Sequence, residues 1–423
     1  MYLCTGYCRR VILKKLGKIV VARRISAVIA AMMLAQGISA QQYDQREDLA
    51  AQILKEQGFE DIRLQIRNDT LVASLEDHAY RGTFRGAAKA IQSVNEKMPE
   101  LRSFEILLTD YQMPQVVVHA FKREGLWDIA VDREMEHAKA VVAHQKPLAS
   151  STGKIDITVV PMVSLINNKL DHLFDYAIRI APAIAITPWK GGRITLQPII
   201  PVSYRLTKGD TKHYVQMGST NISQQFLATK RWQLTAAAGF FHMERMGVQA
   251  NLTFHATRQL DLSLEAGQTG ETYVHKGGIH FGRWKQTNIM AKADFYEPHS
   301  KLQIELQGGR FPYGDCGGRL DVTRHFSEYA IGVYGILTGG EKNAGFHFAI
   351  PFGGKRQRRT KFVRLRLPEY YAMEYSMSAF FRYTQEKMGR SYVTQPDQNR
   401  AAHYWEPRFI EEYIAKILNG NFK

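Results

Sequence analysis

The stretch GVQANLTFHATRQLDLSLEAG, residues 247–267, alternates apolar and polar side chains twice without a slip. Val248, Ala250, Leu252 and Phe254 fall on one side, and Gln249, Asn251, Thr253 and His255 on the other. After Thr257-Arg258-Gln259, Leu260, Leu262, Leu264 and Ala266 alternate with Asp261, Ser263 and Glu265. A period of two is the strand period, so each set lines its own face of a sheet. The pattern also recurs. Similar runs lie at 155–163 and near 174–187, 193–206, 213–228, 231–242, 246–256, 259–270, 283–297, 302–313, 317–326, 329–338, 344–353 and 373–383. TKFVRLRL (360–367) offers a fourteenth. The chain is therefore expected to be mainly β, with about 12–14 antiparallel strands joined by turns.

Either protein or lipid must cover the apolar face. Many of these runs reach ten residues or more, the length of a tilted membrane strand, whereas strands of soluble domains average five to six. The polar side mixes neutral groups with charges of both signs, as in Lys292/Asp294 and Gln303/Glu305, which suits a water-lined lumen. Ala236, Ala238, Ala250, Ala291 and Ala293 make the apolar side too light to fill a packed interior. These features predict a membrane β-barrel over residues 154–383. Trp189, Trp232, Trp284, Tyr204 and Tyr214 are candidates for its interfacial aromatic girdles. The rival reading is a secreted, soluble β-rich protein that binds or cleaves glycan.

The N-terminal stretch favours export. Residues 1–40 carry seven Lys/Arg and no Asp or Glu, followed by the apolar ISAVIAAMMLA (25–35) and a small-residue exit at Ser39-Ala40. That is the layout of a signal peptide, with cleavage expected after Ala40. The formal charge of +16 then falls by 7 to a moderate +9. Cys316 is the one cysteine after residue 40, which leaves no internal disulfide and no cysteine metal cluster. Beyond residue 40 no apolar run is long enough for a membrane helix, a test that β-barrels escape.

Residues 44–147 read differently. Two helical patterns and four strand patterns follow the order αββαββ, a small α+β domain with one apolar sheet face under two helices. Asn68-Asp69 marks a hairpin, and GLWDIAVDREMEHAKAVVAHQ (125–145) reads as a further helix leading out. KPLASSTGK (146–154) is the linker. A tail, 384–423, ends in the amphipathic helix PRFIEEYIAKIL (407–418).

Several stretches resemble the YjbH-like exopolysaccharide-biosynthesis proteins, a family that includes outer-membrane proteins of group 4 capsule operons. They are ERMGVQANLTFHATRQLDLSLEAGQTG (244–270), TRHFSEYAIGVYGILTGGEKNAGFHFAIPFGGKRQRR (323–359) and, in the small domain, LEDHAYRGTFRGAAKAI with LRSFEILLTDYQMPQVVVHAF. Longer members carry an additional β-rich region before the mixed domain, and YYAMEYSMSAFF (370–381) matches less well. The resemblance implies a Gram-negative outer-membrane barrel with a periplasmic N-terminal domain, associated with capsule or exopolysaccharide assembly or export; a non-enzymatic role is expected because no residue set argues for catalysis. Its expected partners are outer-membrane lipid, polysaccharide, other proteins of the export operon and, during biogenesis, the barrel-assembly machinery.

Little in the sequence argues for chemistry. No GxSxG elbow, HExxH helix or phosphate loop occurs, so no catalytic, cofactor or metal residues are assigned. Asn251, His255, Asp261, Glu265, Lys292 and Asp294 are expected to face the lumen, His255 with Asp261 or Glu265 being the nearest thing to an acid/base pair. KRQRRTKFVRLR (355–366) holds seven basic residues; Lys355, Arg356, Arg358 and Arg359 are candidates to contact anionic polymer or lipid phosphate, against the plainer reading of a solvated loop. In an exported protein such a run gives no reason to expect nucleic acid.

Overall fold

The computed structural model describes residues 45–166, 175–206, 211–242, 244–357, 359–376, 386–396 and 405–421. The predicted signal peptide, Arg358 and the end of the last strand pattern (377–383) lie outside the described residues. The fold is mainly β, with one large antiparallel sheet and one small mixed sheet.

The small sheet holds β1 (Glu60–Arg67), β2 (Thr70–Glu76), β3 (Ser103–Asp110), β4 (Met113–Arg123) and β5 (Leu126–Asp132), ordered as in the chain. Asn68, at φ 55°, turns β1 into β2 through a two-residue loop, with Arg67 opposite Thr70. Strands β2 and β3 run parallel, so the chain must cross over between them. After α1 (Gln45–Gln57), it does so through α2 (Thr83–Lys97), whose Phe84, Ala87, Ala88, Ile91 and Val94 fall on one buried stripe.

Two expectations need correction here. The stretch after Gly125 is not one helix. LWDIAVD forms β5, burying alternate Trp127, Ile129 and Val131, and only α3 (Glu136–Val142) follows. Two periodicities sit side by side in those residues, and the strand period governs the first. Helix α3 covers Val72, Leu107 and Val117, so both faces of the small sheet are packed.

The C-terminal helix α4 (Pro407–Leu418) also belongs to no separate tail. Its Phe409, Ile410, Tyr413 and Ile414 complete the core around Phe84 and Phe104. Its end also serves the edge strand: Trp127 N–H donates to Asn419 Oδ1 (2.8 Å) and Val131 N–H to Glu411 Oε2 (3.1 Å). An edge that would otherwise expose donors is thereby closed.

Glu406 caps α4 by accepting from Arg408 N–H (3.2 Å). Burial pushes its carboxyl up to about 8, against the pull of Arg133 and that N–H. A raised folded value favours the protonated form. Its stabilisation is complete below the ordinary 4.5 and is lost as pH rises to about 8. Glu406→Gln is expected to flatten the pH dependence of thermal unfolding across that window. At pH 8 it should leave the variant more stable than the parent.

The large sheet comprises β6 (Ile155–Ile166), β7 (Asp175–Ile186), β8 (Gly192–Leu196), β9 (Pro198–Arg205), β10 (Gln216–Met217), β11 (Thr220–Ala228), β12 (Trp232–Phe241), β13 (Arg245–His255) and β14 (Leu260–His275). It continues with β15 (Gly278–Phe281), β16 (Gln286–Glu297), β17 (Leu302–Arg310), β18 (Cys316–Phe326), β19 (Tyr329–Thr338), β20 (Glu341–Pro351), β21 (Val363–Arg366) and β22 (Tyr370–Ser376). Successive long strands pair antiparallel: β7 takes β6, β8 and β9, β8 joins β11, β14 joins β16, and β20 joins β22. Among the described residues each alternating run of the sequence overlaps a strand, while the short β15, a hairpin arm on β14, gave no such signal.

TKFVRLRL does not supply another antiparallel strand. Only Val363–Arg366 is extended, and it lies parallel to β6. The reason is electrostatic. Arg364 of this run and Arg359 just before it are drawn to Glu60 and Asp156, which fixes the segment beside β6.

Facing residues stay in step across the sheet, as in the row Thr253, Ser263, Lys292, Gln307 and Arg319. One face is polar. The other leaves large apolar side chains exposed from β6 to β20, among them Ile178, Val248, Leu264 (48 %), Leu306 (56 %), Val333 (58 %) and Ile350. No helix among the described residues is long and apolar enough to cross a membrane.

Candidate functional site

The polar face brings the sequence-predicted residues together. In β13 and β14, His255 Nδ1 meets Asp261 Oδ1 at 2.8 Å, and Thr253 and Ser263 share a hydroxyl hydrogen bond of 2.9 Å. These contacts follow from the turn at Thr257, which places the two strands in the 255/261 register. Asn288 Nδ2 donates to Glu265 Oε1 (3.0 Å). Lys292 pairs with Glu305 and lies 3.7 Å from Asp294, which accepts from Gln303 Nε2 (2.8 Å). Asn251 Oδ1 is buried with no hydrogen-bond partner among the described residues.

Sequence reading missed the continuation of this network. Gln303 Oε1 bonds His325 Nε2 (2.8 Å), and Arg319 pairs with Asp321 and Glu374, both at 2.9 Å, while its guanidinium stacks on Tyr334 at 3.9 Å. Asp321 also meets His347 (2.8 Å). A signal was present: Asp261, Asp294, Glu305 and Asp321 occupy one cross-strand row, which emerges once adjacent turns set the register. The charges named on this face are engaged in ion pairs.

The His255–Asp261 pair borders a cleft of about 230 Å³ where the strand turns meet the small sheet. Arg133, Lys230, Arg231 and Arg258 line it with Asp132 and Glu134. The charges are engaged with one another: Arg133 lies 3.5 Å from Asp261, Arg258 lies 3.9 Å from Asp132, and Lys230 pairs with Glu134. Thr257, the hydroxyl lining the cleft, is held as a turn cap by Gln259 and Leu260 N–H. An imidazole–carboxylate pair can shuttle a proton, but no nucleophile is aligned with it among the described residues.

The basic run is placed otherwise than expected. Arg359 grips Glu60 (2.5 and 3.1 Å) and Asp156 (2.8 Å), and Arg356 donates to Glu56 O (2.8 Å) above the Tyr80 ring. Arg364 is 1 % exposed, beside the same Glu60. Of the anion-contacting candidates described, Lys355 and Arg356 are exposed and Arg359 is drawn into ion pairs. Arg359 and Arg364 of the run are committed to buried carboxylates. They fasten the small sheet to the large one.

Behind that junction Glu76, His78 and Asp110 approach closely enough to hold a cation. The Glu76 oxygens are already engaged, by Tyr111 N–H (2.7 Å) and His78 (2.7 Å) on one side and Ser151 Oγ (2.7 Å) on the other. Burial lowers the His78 imidazole, yet the Glu76 contact outweighs it and holds His78 above its ordinary value. The group works as a buried ion pair at the end of β2. No family model, curated protein or solved structure matches this chain.

Proposed function

We propose that the large sheet closes as an outer-membrane β-barrel, with the small sheet on the periplasmic side, and that the protein serves assembly or export of capsule or exopolysaccharide. The observation that carries the architecture is the exposed apolar face running from β6 to β20, with aromatics Trp189 and Trp232 at one end of the strands and Tyr204 and Trp284 at the other. An apolar band flanked by aromatic girdles fits the two boundaries of a bilayer. Lipid offers no hydrogen bonds to open strand edges, so such a sheet must close.

Curvature supports closure. Gly389 N–H donates to Asp315, just before β18, and Asn221 of β11 donates to Thr394 O. On a flat sheet the six steps from β11 to β18 would span roughly 29 Å. The five residue steps from Gly389 to Thr394 reach about 18 Å at most. A sheet that wraps around this segment lets both contacts form with short side chains. The polysaccharide role rests on the resemblance of 244–270 and 323–359 to the YjbH-like family.

Leu306→Arg puts a charge in the apolar band and is expected to cost about 2–4 kcal/mol of membrane folding. The test is heat-modifiable gel migration and resistance to alkaline extraction, compared with Gln307→Arg on the polar face, which should be far milder. Equal yields of both variants, or full solubility of the parent in buffer after export, would remove the membrane reading. A deletion strain with an unchanged surface-glycan profile would remove the polysaccharide role and leave the architecture standing.

A further inference from the structure

The segment 386–396 lies along the polar face, and its contacts come from widely separated strands. Lys387 Nζ pairs with Glu244 (3.1 Å) and Glu271 (2.8 Å). Met388 packs with Met290, Phe311, Tyr334 and Ile336. Tyr392 stacks on Phe241, centroids 5.0 Å apart at 12°, and donates its hydroxyl to Asn288 Oδ1 (2.9 Å). Val393 O accepts from Ser219 Oγ (3.2 Å) and His242 N–H (3.1 Å), and Thr394 O accepts from Asn221 Nδ2 (2.7 Å). Met388 and Tyr392 are both buried.

The strands leave room for these two side chains. A Cβ on Gly339 would lie 2.1 Å from Met388 Cε, and one on Gly267 would lie 2.3 Å from the Tyr392 hydroxyl. The segment is thus seated in a shaped groove.

The small sheet and its helices meet the turns at one end of the large sheet, one after another. Gly191 N–H bonds Tyr111 O (2.8 Å), Lys139 Nζ bonds Ala228 O (3.5 Å), and Arg258 faces Asp132 (3.9 Å). Lys301 pairs with Glu412 (3.1 Å), and Glu328 takes Arg81 (2.6 Å) and Arg85 (2.9 Å). Gly82 N–H donates to Glu369 (3.0 Å). These contacts serve the connections β7–β8, β11–β12, β13–β14, β16–β17, β18–β19 and β20–β22 in turn. A unit attached on one side would touch two or three neighbouring turns; this one spans the mouth.

We infer that the enclosed space is stopped twice, by segment 386–396 inside and by the small sheet across the mouth, so that the resting protein is not an open pore. The inference rests on the barrel reading above. It implies that the protein handles glycan at its surfaces, or only after the inner segment has moved.

The test has two arms on the full chain carrying Cys316→Ser. In the first, Asn221→Cys with Thr394→Cys, and separately Asp315→Cys with Gly389→Cys, are treated with a short bismaleimide after folding in detergent. Cross-linked peptides by mass spectrometry are the expected result in both; their absence from folded protein overturns the inner stop. This arm holds whether or not the protein enters a membrane.

In the second arm, chains shown to be inserted by alkaline-resistant, heat-modifiable behaviour are studied in planar bilayers. Three are compared: the parent, an inner variant (Lys387→Ser, Met388→Ser, Tyr392→Ser), and that variant combined with Glu60→Ala and Arg81→Ala. Resolved conductance steps are expected in the last alone, at least tenfold above the parent. Steps from the parent overturn the inference, steps from the inner variant overturn the seal at the mouth, and silence from all three overturns both stops as the cause. A chain that never inserts sinks the barrel reading, while the cross-links still decide what lies against the polar face.

Discussion

Glu60→Ala is expected to loosen the junction between the two sheets by about 3–5 kcal/mol, because it removes one partner from a buried ion cluster and strands the others. Glu60 is 3 % exposed and receives Arg359 (2.5 Å), Arg364 (3.2 Å) and Lys154 (3.2 Å). Burial alone would raise its carboxyl, but Arg364, His78 and Arg359 outweigh burial and hold it below its ordinary value. A lowered folded value means that the stabilisation is present above the ordinary 4.5 and is lost as pH falls through the folded value. The variant should therefore differ most from the parent at neutral pH and converge with it in acid. Two readouts apply: the thermal midpoint, and the rate of proteolytic nicking in the exposed linker stretch 146–148, expected to rise about a hundredfold. A loss below 1 kcal/mol would show that the cluster is held mainly by Asp156 and the surrounding packing.

Gly86→Ala should be the second large effect, and its sign is a contest. In an exposed helix interior alanine is favoured over glycine by about 1 kcal/mol. Here a Cβ would lie 1.7 Å from Asp77 Oδ2 and 2.6 Å from its Cγ. The carboxylate cannot easily retreat, since its other oxygen accepts N–H from both Ala79 and Tyr80 at 2.9 Å and shapes the turn into α2. Burial pushes Asp77 up to about 6, despite those two N–H groups, so the site is already costly to charge. Overpacking at such a point costs typically 1–3 kcal/mol, and we expect a net loss near the upper end, about 3 kcal/mol. Asp77→Ala in the same chain should recover part of it, giving a double variant more stable than the sum of the two losses. Additive losses would mean that Gly86 matters for some other reason.

How far the sequence could be read is best seen in particular residues. His255 and Asp261 were legible as same-face partners, because four turn residues and a period of two leave little choice. Asp321 and His347 were not, though they extend the same network, because their pairing crosses from β18 to β20 and depends on the registers of two turns. The basic run 355–366 was conspicuous, but the partners of its arginines were not. Nothing local shows that Arg359 will find Glu60, 299 positions away, and a charge cluster looks alike whether solvated or paired. The C-terminal helix was recognised by its apolar stripe, yet a stripe says only that something will cover it, not that Phe84 and Trp127 will.

Alternation is a property of the extended backbone itself: side chains two apart share a face whatever surrounds them. For that reason the long strands of the large sheet, the split into apolar and polar faces and the hairpin at Asn68 were legible in the sequence alone. What fills the space against the polar face was not. Segment 386–396 has no period and little hydrophobicity, and it is held by side chains from strands far apart in the chain. The same holds for the small sheet across the turns, fixed by buried ion pairs between residues far apart in the chain. Short-range geometry determined the elements, and long-range charge pairing and packing, which no local pattern encodes, decided how they fit together.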